Sequence, residues 1–284
     1  MSQLTAPNLF IKGPNGTSYA YRRFGKVGSF PVVFLQHFRG NLDNWDPALI
    51  DAIASEREVI LVNNSGVGLS TGSTPKTAAG LATDILDFID VLGLTEIDLF
   101  GFSMGGFVAQ EIALHRPRLV RRLILAGTGP EGGRGFHVWL GETGERAYRD
   151  VQGAEDALYL FFSATENSRA KGSEFVERIF TRQEDRDETL ALSARDAHSE
   201  VVADWGIPDM GRLARLAGIT QPTLVANGDN DIMVPTVNSY LLAGHIPDAK
   251  LVIYPDAGHG FLFQYPAEFA AVVNAFLSTV ELDQ

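Results

Sequence analysis

The sequence predicts an α/β protein: a mostly parallel twisted sheet with helices on both faces and one inserted helical segment. Three observations carry this. Six short runs are largely apolar along their whole length, which suits strands covered on both sides. Stretches between them repeat apolar residues at helical spacing. One long interval, residues 130–216, carries helical patterns and no convincing strand.

In chain order, SYAYRRFG (18–25) reads as an early strand of a hairpin. PVVFLQH (31–37) and EVILVNN (58–64) read as buried strands. Leu81, Ile85, Phe88, Ile89 and Leu92 mark a helix over 77–92. EIDLFGF (96–102) is the next strand, and Met104 to His115 the next helix. RRLILAG (121–127), PTLVANG (222–228) and AKLVIYP (249–255) are three further strands, and a closing helix is expected from Pro266 to Val280. Within the inserted segment, helical patterns fall at 155–162, 173–183 and 188–203, and RQEDRDE (182–188) reads as a solvated turn. The expected division is a core of 1–129 and 217–284 with a helical cap, or lid, over 130–216. Such a cap would lie at strand ends, where α/β proteins bind ligands.

Composition removes several function classes. The formal charge is −12, which disfavours nucleic acid and anionic membrane surfaces as partners. There is no cysteine, so disulfides, thiolate nucleophiles and Cys-ligated metals are out. No uninterrupted apolar stretch reaches membrane-spanning length, and the N-terminus lacks a basic stretch followed by an apolar run. The expectation is a cytoplasmic protein with no cofactor, no metal and no membrane partner; a homo-oligomer is compatible with these features.

The chemistry concentrates in GFSMG (101–105), which fits G-x-S-x-G. With a strand before it and a helix after it, the pattern places Ser103 on a strained turn with its hydroxyl raised above the sheet. A serine hydroxyl is a weak nucleophile until a base takes its proton. Of six histidines, His259 follows the last strand on a loop, where the carboxyl ends of parallel strands meet. His37 ends a strand, His115 and His245 lie near helix ends, and His137 and His198 fall in the inserted segment. The histidine needs an orienting carboxylate. ANGDNDIMVP (226–235) offers Asp229 and Asp231, while Asp256 stands close to His259 in sequence. The order Ser103, Asp231, His259 is that of one of the known triad arrangements.

From about residue 18 to 280 the chain resembles the α/β-hydrolase fold superfamily with a helical cap. GDND (228–231) matches its G-x-x-D and AGHG (257–260) its late Gly-His, so the resemblance selects Asp231 as the acid. The elbow GFSMGG is similar to the serine esterase, lactonase and cofactor-free haloperoxidase branch, and Ser103 argues against the dehalogenases and epoxide hydrolases, which carry Asp there. Two departures stand out. QHFRGN (36–41) lacks the usual glycine after the histidine. The resemblance implies an oxyanion hole from the Phe38 and Met104 N–H groups, with a one-residue shift to Arg39 as the alternative. NNSGVGLS (63–70) puts Asn63 and Ser65 where an acid and an arginine are usual.

The resemblance implies a serine hydrolase of a small to medium carboxylic ester or lactone, acting through an acyl-enzyme. Its alternatives are a C–C bond hydrolase of a diketone-type substrate, a perhydrolase or haloperoxidase, and a non-enzymatic ligand receptor. Arg39 is the candidate clamp for a substrate carboxylate. Trp139 and Phe162 are candidate pocket walls, alongside Phe136, Tyr159, Phe161 and Trp205; each of these aromatics has core packing of the cap as an equal reading.

Overall fold

The computed structural model describes residues 1–28 and 30–279. Its strands are β1 (Leu9–Lys12), β2 (Ser18–Gly25), β3 (Val32–Leu35), β4 (Glu58–Val62), β5 (Ile97–Phe102), β6 (Val120–Ala126), β7 (Thr223–Gly228) and β8 (Ala249–Tyr254). They form one sheet in the order β1-β2-β4-β3-β5-β6-β7-β8. Strand β2 runs antiparallel to β1 and β4; every other pairing is parallel. The mostly parallel sheet expected from the sequence is therefore present, and β1 is the hairpin partner of 18–25.

The apolar strands are explained by their two faces. Successive side chains point to opposite sides. Val33, Leu35, Ile60, Leu99, Leu123 and Val225 enter one apolar cluster. Val32, Phe34, Leu61, Phe100, Ile124 and Leu224 enter the other. Each such side chain contributes about 1.5–3 kcal/mol on burial. Helices α2 (Ala78–Val91) and α3 (Met104–His115) cover the first face, and α1 (Pro47–Ala54) and α10 (Pro266–Ser278) the second. Local signals start these helices. Asp46 accepts from the Ala48 N–H with Pro47 at the first helical position, and Thr77 accepts from the Gly80 N–H; such caps contribute ~1 kcal/mol each.

Boundaries shift where a turn intervenes. The strand expected over 31–37 ends at Leu35, because the Gly40 N–H bonds the His37 carbonyl and folds the chain over. Helix α10 ends at Ser278; the expected end at Val280 lies outside the described residues. Between β6 and β7 the described residues form α4 (Gly141–Ala147), α5 (Ala154–Phe161), α6 (Glu166–Ile179) and α7 (Leu192–Trp205), then a 3₁₀ helix over Met210–Gly218. Two short helices, α8 (Val237–His245) and α9 (Phe261–Gln264), follow β7 and β8.

One expectation holds only in part. Of residues 182–188, Gln183, Glu184, Asp185 and Glu188 are exposed as a solvated turn requires, but Arg182 and Asp187 turn inward. Arg182 is buried and donates to the carbonyls of Gln3, Leu4 and Ala6. The Asp187 carboxylate accepts from the Asn63 amide and from the Leu42 and Leu69 N–H groups, while its own N–H bonds Asp43. The Arg182 and Asp187 charges are thus spent on backbone and amide groups of the core, while Glu184, Asp185 and Glu188 stay exposed.

The chain leaves β3 towards β4 on one side and returns through β5 to the other. That reversal opens a crevice at the carboxyl ends of β3 and β5.

Candidate active site

Ser103 alone separates β5 from α3. Its backbone sits at φ 55° and ψ −121°, a sparsely populated conformation that costs ~1–3 kcal/mol. Three bonds hold it there. The Ser103 N–H donates to the Ala126 carbonyl at 2.9 Å. Its carbonyl accepts from the Thr128 hydroxyl at 2.7 Å and the Gly106 N–H at 2.8 Å. The flanking glycines are a matter of space. A Cβ on Gly101 would lie 2.6 Å from the Gly106 Cα, and one on Gly105 would strike the Leu35 carbonyl of the neighbouring strand.

His259 follows β8 and is buried between the rings of Phe102 and Phe161, at centroid distances of 5.0 and 5.5 Å. Its Nδ1 lies 2.7 Å from Asp231 Oδ2. The other oxygen, Oδ1, accepts from the Met233 and Val234 N–H groups at 2.8 and 2.9 Å. Asp231 is thus oriented before it meets the ring. Asp229 is exposed and turned away, accepting from the Asn230 amide and the Ala257 N–H. Asp256 bonds Thr165 and Asn167 of the inserted segment instead.

Ser103 and His259 line one cavity of about 430 Å³, with His37, Phe38 and Arg39 on the opposite loop. Leu160 and Phe161 of α5 and Val176 and Ile179 of α6 form an apolar wall, and Asp150, Asp187 and Glu188 also line it. Two expected wall residues lie elsewhere. Trp139 packs between Phe38 and Tyr148 with its indole N–H on the Met233 carbonyl. Phe162 packs on Phe175 and crowds Gly172. Neither lines the cavity; Phe161, one residue earlier, does. Phe136 and Trp205 stack on Phe107 in the core.

Arg39 lines the cavity, but its guanidinium donates to the carbonyls of Ala147, Arg149 and Asp150. Its backbone has φ 68°, and its N–H donates to His198 Nδ1 at 3.2 Å. The Phe38 and Met104 N–H groups have no protein acceptor among the described residues. Burial pushes His37 down to about 3 and His198 down to about 4, so both imidazoles are neutral near pH 7. Burial pushes the Asp187 carboxyl up from its ordinary value. Among the described residues no cluster of three or more His, Asp or Glu is placed to hold a metal ion, and no helix is long and apolar enough to cross a membrane.

His198 and Asp187 were not singled out as site residues from the sequence. A signal for the first existed: Ala194, Ala197, Val201, Val202 and Trp205 place His198 on the apolar stripe of its helix. None existed for Asp187, whose partners stand more than a hundred residues away.

This geometry has a counterpart in sequence. A family profile described as alpha/beta hydrolase fold matches residues 31–266. The chain belongs to that family. It is 38% identical to the α/β hydrolase fold protein from Chitinophaga pinensis, with a TM-score of 0.92 and coverage of 99% of this chain and 100% of that one. It is 27% identical over 254 residues to a putative carbamate hydrolase, RutD, of Rhizobium rhizogenes, covering 87% of this chain and 92% of the relative. It is 29% identical over 272 residues to a poly(3-hydroxyalkanoate) depolymerase of Ectopseudomonas oleovorans, covering 90% and 87%. At the coarse level these matches carry, the chain is a hydrolase of the α/β fold.

Proposed function

We propose that the chain is a serine hydrolase that cleaves a small to medium, uncharged carboxylic ester or lactone through an acyl-enzyme. The observation that carries the reading is the 2.7 Å His259–Asp231 bond in the cavity that also receives Ser103 from its strained turn. Ser103 Oγ attacks the carbonyl carbon while His259 Nε2 takes its proton. Asp231 holds Nδ1–H, fixing the tautomer and stabilising the imidazolium. The protonated imidazole then gives its proton to the leaving alkoxide, and water, activated by the same imidazole, releases the acid.

The developing oxyanion needs two donors in a site screened from water. The Met104 and Phe38 N–H groups fill that role in this reading. Support for Phe38 over Arg39 is direct: the Arg39 N–H is already committed to His198. The segment 130–216 serves as a cap, since α5 and α6 supply the apolar wall beside Ser103. The relatives named for carbamate and polyester substrates fit acyl transfer to water. Cleavage of a carboxylate-bearing diketone is disfavoured, because the Arg39 guanidinium is occupied by three carbonyls and the acidic residues Asp150, Asp187 and Glu188 outnumber the basic Arg39 and Arg186 around the cavity.

The test is a panel of short esters, lactones and anionic diketones on wild type and Ser103→Ala, with a fluorophosphonate probe. The expected result is turnover of neutral esters or lactones, labelling at Ser103 alone, and a loss of about 10⁶-fold in kcat on Ser103→Ala. Labelling at another serine, or an active alanine variant, removes the assignment. Tight ligand binding without turnover favours a receptor.

A further inference from the structure

The loop that carries Phe38 is held from the cap. Its Arg39 stands at φ 68°, a left-handed conformation that a non-glycine residue keeps only when its surroundings impose it. Within the core, the Gln36 side chain accepts from the His37 N–H and donates to the Asn41 carbonyl, and His37 Nδ1 lies 2.7 Å from the Phe38 carbonyl. From the cap comes His198 of α7, fully buried, whose Nδ1 faces the Arg39 N–H at 3.2 Å. A backbone N–H can only donate, so the imidazole nitrogen facing it is an acceptor, and the ring is neutral with its proton on Nε2. That Nε2 is buried without a partner among the described residues. An imidazole placed so that one nitrogen goes unsatisfied gains its position from the bond made by the other.

From this we infer that His198 is a positioning residue for the oxyanion loop: by accepting the Arg39 N–H it fixes the next peptide in the chain, so that the Phe38 N–H stays free for the reacting carbonyl. The inference rests on the serine-hydrolase reading above. It makes the cap part of the catalytic geometry as well as a wall of the cavity. His198 touches neither Ser103 nor His259 by any hydrogen bond among the described residues, and its one hydrogen bond to the loop is the one from Arg39.

The ring also packs beside Phe38, at a centroid distance of 6.4 Å, so packing must be separated from hydrogen bonding. His198→Phe keeps a buried ring and removes the acceptor. His198→Asn keeps an acceptor near the Nδ1 position. Val201→Ala removes buried volume one turn along α7 without removing a hydrogen bond. Each variant is assayed for kcat and KM on a short and a long ester, for the rate of fluorophosphonate inactivation, and for Tm. The expected result for His198→Phe is a fall in kcat and in inactivation rate of about 10- to 100-fold, the scale of an ångström-sized misplacement, equal for both esters, with KM little changed. His198→Asn recovers most of that loss, and Val201→Ala lowers Tm but leaves kcat within twofold. A His198→Phe enzyme with kcat within twofold of an active wild type overturns the inference alone. So does a His198→Asn variant as slow as His198→Phe, or an equal kcat loss in Val201→Ala. If His198→Phe does not fold, His198→Leu, which also lacks the acceptor, takes its place in the same comparisons. A wild type that hydrolyses no ester or lactone removes the serine-hydrolase reading and this role with it.

Discussion

Asp229 and Asp231 leave the same strand two positions apart, yet their side chains meet different worlds. Asp231 is held by two backbone N–H groups and faces the imidazole; Asp229 faces solvent and the Ala257 N–H. The expected outcome for Asp231→Asn is a fall of about 10⁴-fold in kcat with the fold intact, because the amide can present its N–H₂ to the ring and favour the wrong tautomer. Asp229→Asn should stay within about tenfold, since it alters one turn at the surface. Steady-state kinetics on both variants checks this, and the reverse ranking would sink the assignment of the acid. The companion test is structural. In a phosphonate adduct of Ser103, the phosphonyl oxygen should lie ~2.7–3.1 Å from the backbone nitrogens of Phe38 and Met104. An oxygen bonded to Arg39 N instead would require the His198 contact to break.

At the scale of elements, the segment after α6 matters most. Residues 186–190 line the cavity, and Asp187 ties them to the core through Asn63, Leu42 and Leu69. The departure at Asn63 thus has a structural partner: its amide donates to the Asp187 carboxylate of the segment inserted between β6 and β7. Removing that carboxylate leaves buried donors without an acceptor, at ~1–3 kcal/mol each. Asp187→Ala should therefore lower Tm and open the 182–190 stretch to limited proteolysis while kcat at saturating substrate changes less than KM. Unchanged proteolysis would mean Arg182 and Arg186 hold the segment without it. The wall formed by α5 and α6 gives a sharper contrast. Phe161→Ala should change the ranking of acyl chain lengths, whereas Phe162→Ala should lower Tm by lost packing, roughly 3–5 kcal/mol for a buried phenylalanine, without altering the ranking.

For the whole molecule, the buried imidazoles set an acid limit. His37 and His198 have folded-state values of about 3 and about 4, below the ordinary imidazole value of 6.5. The unfolded chain therefore binds more protons than the folded one between those limits. Their contribution is complete above pH ~6.5 and is lost as pH falls toward their folded values, at up to ~1.4 kcal/mol per pH unit per histidine. Urea midpoints should drop from pH 7 to pH 5, and His198→Asn should flatten that slope. Asp51, Asp98 and Asp187, all pushed up by burial, act in the opposite sense as the pH approaches the carboxylate range. A slope that does not change in His198→Asn would mean that its ring titrates alike in both states.

The sequence by itself determined the sheet, most of its helices and the elbow, because each rests on local rules. Continuous apolar strands need two covered faces, and glycines at 101 and 105 answer backbone contacts within the strand–turn–helix unit and the adjoining strand. Position alone offered Asp229 and Asp231 together, since either could follow β7, and the G-x-x-D resemblance selected Asp231. Only the tertiary structure decided between their orientations, turned Phe161 rather than Phe162 toward the cavity, and paired Asp187 with Asn63 and His198 with Arg39. Those outcomes depend on contacts across 28 to 159 positions of chain, and no periodicity within one element encodes which distant partner a side chain will meet.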